Sequence, residues 1–165
     1  MKFTRSTISQ LFAMLALAAS GAAFASGNHA GGHGHDEGGE TAIGKPGVAA
    51  KASRTITIEM SDKMRFTPSD LTVKKGETVR FIVKNAGQVK HEINLGTQKE
   101  LLEHLEQMRK FPGMEHDEPG KLTLEPGKQG EFVWQFTQAG VVDFGCLIPG
   151  HYEAGMKGAI QVQRQ

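Results

Sequence analysis

Four side chains could bind a metal ion. Three lie near the carboxyl end of the chain, and one lies in an earlier segment. The stretch 146–156 reads CLIPGHYEAGM, so Cys146, His151 and Met156 follow one another at spacings of five residues. An earlier apolar segment, VKHEINL, carries His91. Cys146 is the only cysteine, so an internal disulfide is excluded. It remains a buried core thiol, an intermolecular link, a nucleophile or a metal ligand.

These residue types favour copper over other metals and over catalysis by the thiol. Two imidazoles and one thiolate, with a more distant thioether, are the ligand set of a type 1 copper electron-transfer site. Structural zinc sites more often take several thiolates, and catalytic zinc sites keep a position open for water. A cysteine protease needs a base held by a third group, a role to which His151 in a Pro-Gly loop is poorly suited. Each residue alone has an ordinary structural explanation, but the combination predicts a copper site.

Short segments that alternate apolar and polar residues predict the elements that would position these side chains. Turn-forming sequences such as NAG and EPGKQG separate them. About eight strands are predicted, at 55–60, 71–74, 79–84, 89–95, 121–125, 132–137, 141–146 and 158–163. This pattern indicates an all-β fold, an antiparallel β-sandwich.

Strand parity places two of the candidate ligands on the buried side of the sandwich. His91 shares its parity with Val89, Ile93 and Leu95, and Cys146 shares its parity with the apolar residues two and four positions before it. Both side chains are therefore expected to face the interior. The loop after Cys146 would bring the second histidine and the methionine back to the same end.

One helix is predicted between two strands, in the sequence TQKELLEHLEQMRKFPG at 97–113. A capping-box pattern opens it, and a Pro-Gly pair ends it. Leu101, Leu105 and Met108 fall on one helical stripe. Its simplest role is to cover one flank of the sandwich.

The first part of the chain has the features of an export signal. Residues 1–25 combine Lys2 and Arg5, a short apolar core and an Ala-Phe-Ala cleavage pattern, which predict a secretory signal peptide. Residues 26–53 are rich in Gly and Ala, contain several His and few large apolar residues, and are predicted to be a disordered tail. Residues 54–165 remain as one exported, periplasmic domain. The formal net charge of +1 gives no indication of a nucleic-acid partner.

The stretch from Cys146 to Met156 resembles the copper loop of the cupredoxins, especially members such as rusticyanin and auracyanin that have the same ligand spacing. The resemblance covers roughly 54–163, including FTPSDLTVKKGETVRFIVKN, HEINLG and the Trp-containing strand. The inserted helix and HEINLG are similar to the CopI-like periplasmic cupredoxins associated with bacterial copper tolerance. The resemblance implies a Greek-key β-sandwich with one type 1 copper. It also implies four copper ligands: His91, Cys146, His151 and Met156.

One position departs from the family's pattern. Many cupredoxins have Asn directly after the first ligand histidine, where it links the two ligand-bearing segments, and Glu92 stands there in this chain. Groups around the ligands orient them and tune the metal. The resemblance therefore gives no redox potential for this chain.

Further His and Met residues could form auxiliary copper sites. The tail carries a short His-rich tract, which can bind Cu(II) or Zn(II): His29, His33 and His35. A second group lies in and just after the predicted helix: His104, Met108, Met114 and His116. Packing along the helical stripe explains Met108 without a metal. For Met114 and His116, a second copper site is the hypothesis.

These inferences lead to two functional hypotheses. In the first, a periplasmic type 1 copper protein with one-electron redox activity serves copper tolerance and homeostasis. In the alternative, a dedicated electron carrier links respiratory partners, which would dock on Ile148 and Pro149 beside His151. The chain is expected to be a monomer without a membrane span, and an electron-transfer protein rather than an enzyme. Weak oxidation of Cu(I) stays open as an activity.

Overall fold

Two five-stranded β-sheets form the bulk of the structure, a computed structural model that describes residues 39–111 and 118–164. The predicted all-β sandwich with one inserted helix is confirmed. In spatial order the first sheet contains β1 (Lys45–Pro46), β8 (Gln129–Gln135), β5 (Thr78–Asn85), β2 (Arg54–Ser61) and β3 (Arg65–Thr67). The second sheet contains β4 (Asp70–Lys74), β10 (Lys157–Gln163), β9 (Gly140–Gly145), β6 (His91–Gly96) and β7 (Lys121–Leu124). The two strands beyond the predicted set, β1 and β3, are too short to show an alternating pattern.

Two strand pairs correct the expectation of a purely antiparallel sandwich. The pairs β2–β5 and β4–β10 are parallel, and the other pairs within the described ranges are antiparallel. Parallel neighbours need a crossover connection, and the chain provides one by visiting β3 and then β4 in the other sheet between β2 and β5. In the second sheet this topology places β9 between β10 and β6. The strands that lead to the candidate ligands are therefore direct neighbours.

The interior is built largely from the side chains whose alternation predicted it. Val79, Phe81 and Val83 of β5 are fully buried. Phe144 of β9, in the second sheet, belongs to the same buried core cluster. The ring of Phe81 lies 6.2 Å from that of Phe136, in an edge-to-face arrangement. Apolar burial of this kind is the main source of stability in such a fold. It gives the metal-binding candidates a rigid support.

Strand β6 differs from the predicted alternating pattern. Val89 is 44% exposed and precedes the strand, whereas His91 and Ile93 are fully buried. Glu92 and Asn94, on the opposite face, are also buried. The reason is that the helix and the loop after β9 cover the outer face of the strand, so that neither face of β6 meets water. The alternation of residues along the strand therefore could not show that both faces of β6 are buried.

The prediction of a disordered tail as far as residue 53 is wrong for residues 41–53. Ile43 is 7% exposed within the main core cluster, and the indole nitrogen of Trp134 donates a hydrogen bond of 3.0 Å to its carbonyl oxygen. Strand β1 pairs with β8, and Gly44 has φ +119° where a Cβ would lie 2.1 Å from the Gln135 carbonyl oxygen. One apolar residue and one permissive glycine thus tie this segment to the sandwich. The domain begins before residue 54.

Helix α1 spans Gln98–Lys110. The capping box at its start is present: the Thr97 side chain accepts from the Glu100 backbone, and the Glu100 carboxylate accepts from the Thr97 backbone at 2.7 Å. Leu101, Leu105 and Met108 are the buried residues of the helix, as the stripe predicted. The helix therefore packs with its apolar stripe against the rest of the domain.

Several predictions fall outside the described residues. These are the signal peptide at 1–25, the His-rich part of the tail and the Met/His pair after the helix: His29, His33, His35, Met114 and His116. Within 39–111 and 118–164, no helix is long and apolar enough to cross a membrane.

Candidate metal centre

Three metal-binding side chains meet at one end of the sandwich. His91, Cys146 and His151 each offer one ligand atom, and these atoms all lie within 4.8 Å of one another. The Cys146 sulfur is 3.3 Å from Nδ1 of His151, and the two imidazole rings are 5.1 Å apart. His91 and Cys146 are fully buried, and His151 is half-buried. The convergence expected from strand parity is therefore present.

The register of two neighbouring strands brings the first two side chains together. Asn94 of β6 pairs with Gly145 of β9. Cys146 directly follows β9, and extending the same register by one residue places it opposite Ile93. His91 is two residues from Ile93 and shares its face. The sheet itself thus fixes the separation of His91 and Cys146.

The loop 147–156 folds back so that its end meets its beginning. The His151 backbone N–H donates to the Ile148 carbonyl oxygen at 3.0 Å, in a turn where Gly150 has φ +89°. The Met156 N–H donates to the His151 carbonyl oxygen, and the Cys146 N–H donates to the Met156 carbonyl oxygen, both at 3.0 Å. Met156 is fully buried in the main core cluster beside the cysteine. The loop therefore returns the histidine and the methionine to the cysteine.

The two nitrogens of His91 have different environments. Nε2 lies 3.0 Å from Oδ1 of Asp62, while Nδ1 is buried and has no hydrogen-bond partner among the described residues. A buried polar atom without a partner is costly. With Nε2 occupied by the carboxylate, Nδ1 is the nitrogen free to bind a metal. This donor set, an imidazole nitrogen beside a thiol and a second imidazole, fits copper.

The protonation of the metal-free cluster argues against a free, reactive Cys146 nucleophile. Burial raises the pKa of the Cys146 thiol to about 12, against hydrogen bonds from the backbone of Glu92 and Ile148 that lower it. Burial, and then the neighbouring His91, lower the pKa of His151. A reactive cysteine needs a lowered pKa, which is the opposite of what is found. Neutral imidazoles are what a metal ion binds.

Glu92 performs the linking role that Asn has in many cupredoxins. Its Oε1 accepts hydrogen bonds from the Leu147 backbone N–H at 3.0 Å and from the Asn94 side chain at 2.9 Å. Asn94 Nδ2 also lies 3.3 Å from the Gly145 carbonyl oxygen. The carboxylate of β6 thus holds the residue directly after the cysteine. The substitution changes the linking group but keeps the link.

Helix α1 packs on the loop rather than on the sheet alone. Leu101 and Leu105 of the helix form a separate buried cluster with Leu147 and Tyr152 of the loop. The sheet approaches closely here, since a Cβ on Gly145 would lie 2.7 Å from the Tyr152 ring. The inserted helix therefore supports the segment that carries His151. The simpler role predicted for it, covering one flank of the sandwich, is only part of what it does.

Two arginines from outside the loop also hold it. The Arg109 guanidinium of α1 donates to the Glu153 carboxylate, and this contact lowers the pKa of Glu153. On the other side, Nη1 of Arg65 donates to the Ala154 carbonyl oxygen at 2.7 Å. Gly155 has φ +102°, a backbone conformation that favours glycine. The loop is thus held on both flanks.

The proposed auxiliary residues on the helix do not join this cluster. Met108 is buried on the stripe with Leu101 and Leu105, which agrees with packing. His104 is half-buried on the same helix. In the residues that the structure describes, the grouping of His, Cys and acidic side chains that could hold a metal contains only His91, Cys146 and His151.

Sequence reasoning missed the residues that support the ligands from a distance. Asp62 lies 29 residues before His91, and Arg109 and Glu153 are 44 residues apart. No local periodicity marks such pairs. The one available signal was Glu92, whose departure from the usual Asn drew attention to the link it makes.

Comparison with known proteins agrees with this geometry. Residues 52–163 match the family model of copper-binding proteins of the plastocyanin/azurin family. The chain belongs to this family. It is a copper-binding cupredoxin, as the resemblance of the ligand loop implied.

Two relatives carry the same name. The chain is 49% identical over 156 residues to the copper-resistant cuproprotein CopI of Rubrivivax gelatinosus, covering 94% of this chain and 93% of that protein. It is 41% identical over 151 residues to the copper-resistant cuproprotein CopI of Pseudomonas aeruginosa, covering 74% of this chain and 83% of that protein. The cupredoxin is thus related to proteins named for copper resistance.

A solved structure supports the fold. The structure of auracyanin B superposes with a TM-score of 0.60 at 22% sequence identity, over 73% of this chain and 96% of that chain. At this level of identity the likeness supports the sandwich architecture alone.

Proposed function

We propose that this cupredoxin is a periplasmic type 1 copper protein that exchanges one electron and serves copper tolerance. Its proposed ligands are His91, Cys146, His151 and Met156. The observation that carries the proposal is the buried cluster in which the His91 Nδ1, without a partner of its own, lies with the Cys146 thiol and the His151 imidazole. Soft sulfur and imidazole together suit both oxidation states of copper.

The contributions of the individual residues follow from their positions. A bound copper supplies a one-electron redox couple. His91 opens β6 and Cys146 directly follows β9, so the pairing of these strands sets their separation, and we expect it to depend little on the state of the metal. His151, half-buried at the surface, gives the route by which an electron would leave or enter. Met156 would contribute its thioether from the core side of the loop.

Two observations support the role in copper tolerance and the location. The relatives at 49% and 41% identity are named copper-resistant cuproproteins. The first 25 residues have the charged start, short apolar core and cleavage pattern of an export signal. Deleting the gene should lower survival in copper, and the full chain should restore it. A Cys146→Ser chain should not, and full rescue by it would contradict a role for this site.

A titration of the purified protein with Cu(II) tests the metal site directly. We expect intense visible absorption from thiolate-to-copper charge transfer that saturates at one equivalent and is absent in Cys146→Ser. A Val141→Ala variant, at a position of β9 that is 50% exposed, is the control and should leave the absorption unchanged. Absence of the absorption in the unsubstituted protein would contradict the proposed site.

The second candidate is a dedicated electron carrier between respiratory partners. The half-buried His151 beside the partly buried Ile148 and the exposed Pro149 favours it, because such a surface could dock a redox partner. The two functions differ in the phenotype of a deletion strain. Loss of respiratory growth with unchanged copper survival would support the carrier, and the reverse would support tolerance.

A further inference from the structure

Asp62 contacts the face of His91 that points away from the proposed metal. Its Oδ1 lies 3.0 Å from His91 Nε2. His91 is fully buried, and Asp62 is the one hydrogen-bond partner that its side chain has among the described residues. A carboxylate acts as an acceptor, so Nε2 carries the hydrogen and donates it. The proton on Nε2 leaves the lone pair on Nδ1.

The carboxylate of Asp62 is itself held in place by the backbone of the following connection. Its Oδ2 accepts from the Gln88 N–H at 2.7 Å, and its Oδ1 lies 3.4 Å from the Val89 nitrogen. These contacts join the turn after β2 to the segment that leads into β6. Oδ2 of Asp62 therefore serves the backbone alone, while Oδ1 faces His91 Nε2 and also accepts the longer contact from the Val89 N–H.

Gly87 shows that the chain is shaped around this contact. A Cβ at position 87 would lie 2.0 Å from Asp62 Oδ1 and 3.1 Å from His91 Nε2. The first distance is far inside van der Waals contact, so any other residue would push the carboxylate away from the imidazole. Its backbone N–H donates to the Asn85 side chain at 2.9 Å, which fixes its position. Two separate positions, 62 and 87, thus serve one hydrogen bond.

We propose that Asp62 is a positioning residue for the copper site, which holds His91 in the tautomer with Nδ1 free and increases the basicity of that nitrogen. The inference rests on the proposed ligand role of His91. A carboxylate behind a metal-bound imidazole fixes the ring and strengthens it as a donor. A stronger donor stabilises Cu(II) more than Cu(I), so Asp62 lowers the reduction potential of the site.

Asp62→Asn is the most informative variant because it keeps the shape of the side chain and replaces one of its two acceptor oxygens with an amide nitrogen. An amide has a single oxygen, which cannot serve both the Gln88 N–H and His91. If the oxygen stays with Gln88, the amide nitrogen faces His91 Nε2 and favours the opposite tautomer, with hydrogen on Nδ1. Gly87→Ala displaces the carboxylate without removing it. Glu59→Gln is the matched control, since Glu59 is exposed on β2 and its substitution removes the same charge.

The first readout needs no metal. Nitrogen NMR of the imidazole in the metal-free protein at a pH where His91 is neutral should show Nε2–H in the unsubstituted chain and in Glu59→Gln. In Asp62→Asn the Nδ1–H form should gain population. The same tautomer in Asp62→Asn as in the unsubstituted chain, with the fold retained, would overturn the proposal.

The second readout is the copper-loaded protein. Affinity for Cu(II), measured by competition with a chelator, should fall roughly 10- to 100-fold in Asp62→Asn and in Gly87→Ala, and should stay unchanged in Glu59→Gln. If Cu(I) affinity is kept, each tenfold loss raises the reduction potential by about 59 mV for this one-electron couple. Equal changes of Cu(II) affinity and reduction potential in Asp62→Asn and Glu59→Gln would mean that the effect comes from net charge alone, which would overturn the proposal.

The two proposals fail in different ways. If the unsubstituted protein gave no thiolate-to-copper absorption, the proposed function would fail while the tautomer measurement still tested the contact. If the absorption appeared and Asp62→Asn left both tautomer and Cu(II) affinity unchanged, the function would stand and the role of Asp62 would be wrong.

Discussion

The candidate metal centre has two halves that are held by different means. His91 opens β6 and Cys146 directly follows the neighbouring strand β9, so the register of the sheet fixes their positions. His151 and Met156 come from a loop that has no strand neighbours of its own and is held by helix α1 and two arginines. The half set by the sheet is fully buried, whereas His151 is half-buried.

The difference indicates how one domain can combine a fixed site with an accessible ligand. A ligand that meets solvent or a partner must lie at the surface, where the sheet cannot hold it. The chain therefore adds a helix whose apolar stripe packs on Leu147 and Tyr152 of the loop. The stability of the loop half should depend on α1 more strongly than that of the strand half, whose positions the register of the sheet also holds.

The largest effect is expected from Leu105→Ala, which removes a buried contact between α1 and the loop. Leu105 is 3% exposed, so the loss in free energy of unfolding should be about 2–5 kcal/mol. Denaturant unfolding of the metal-free protein measures it. Leu102→Ala, on the same helix but 44% exposed, should stay within about 0.5 kcal/mol. Equal losses in the two variants would contradict the supporting role of the buried stripe.

A smaller effect is expected from Glu92→Ala, which breaks the link between the two halves. The Leu147 N–H would lose its buried acceptor, which costs about 1–3 kcal/mol, whereas the Asn94 amide would keep the Gly145 carbonyl oxygen. Glu92→Gln keeps an oxygen and should recover part of the loss. The same unfolding experiment tests both. If the alanine and glutamine variants were equally stable, the hydrogen bonds of Glu92 would not be what links the two halves of the site.

The smallest effect is expected from Arg109→Gln, which removes the surface ion pairs of Arg109 with Glu153 of the loop and with Glu106 of the helix. Because Arg109 lowers the pKa of Glu153, this stabilisation is present at neutral pH and is lost as the pH falls through the lowered pKa. The difference between the unsubstituted and Arg109→Gln proteins should shrink at acidic pH and at high salt. A difference that persisted under both conditions would point to packing instead of charge.

The sequence predicted the parts of this molecule that follow local patterns. The strands around Phe81, the capping box of α1 and the spacing of the ligand loop are all encoded within a few residues. The sequence did not predict β1, because a lone Ile43 among Gly and Ala gives no periodicity. It also did not predict that Asp62 contacts His91 or that Arg109 of α1 holds Glu153 of the loop, since both contacts join segments that are far apart in the sequence.

The most direct test of the proposed copper site is a crystal structure of the copper-loaded protein with anomalous diffraction at the copper edge. We expect one strong peak bound by Nδ1 of His91, the sulfur of Cys146 and Nδ1 of His151, with the Met156 sulfur on its core side. His91 Nε2 should still contact Asp62. A peak that excluded Cys146, or one bound through His91 Nε2, would contradict the proposed ligand set.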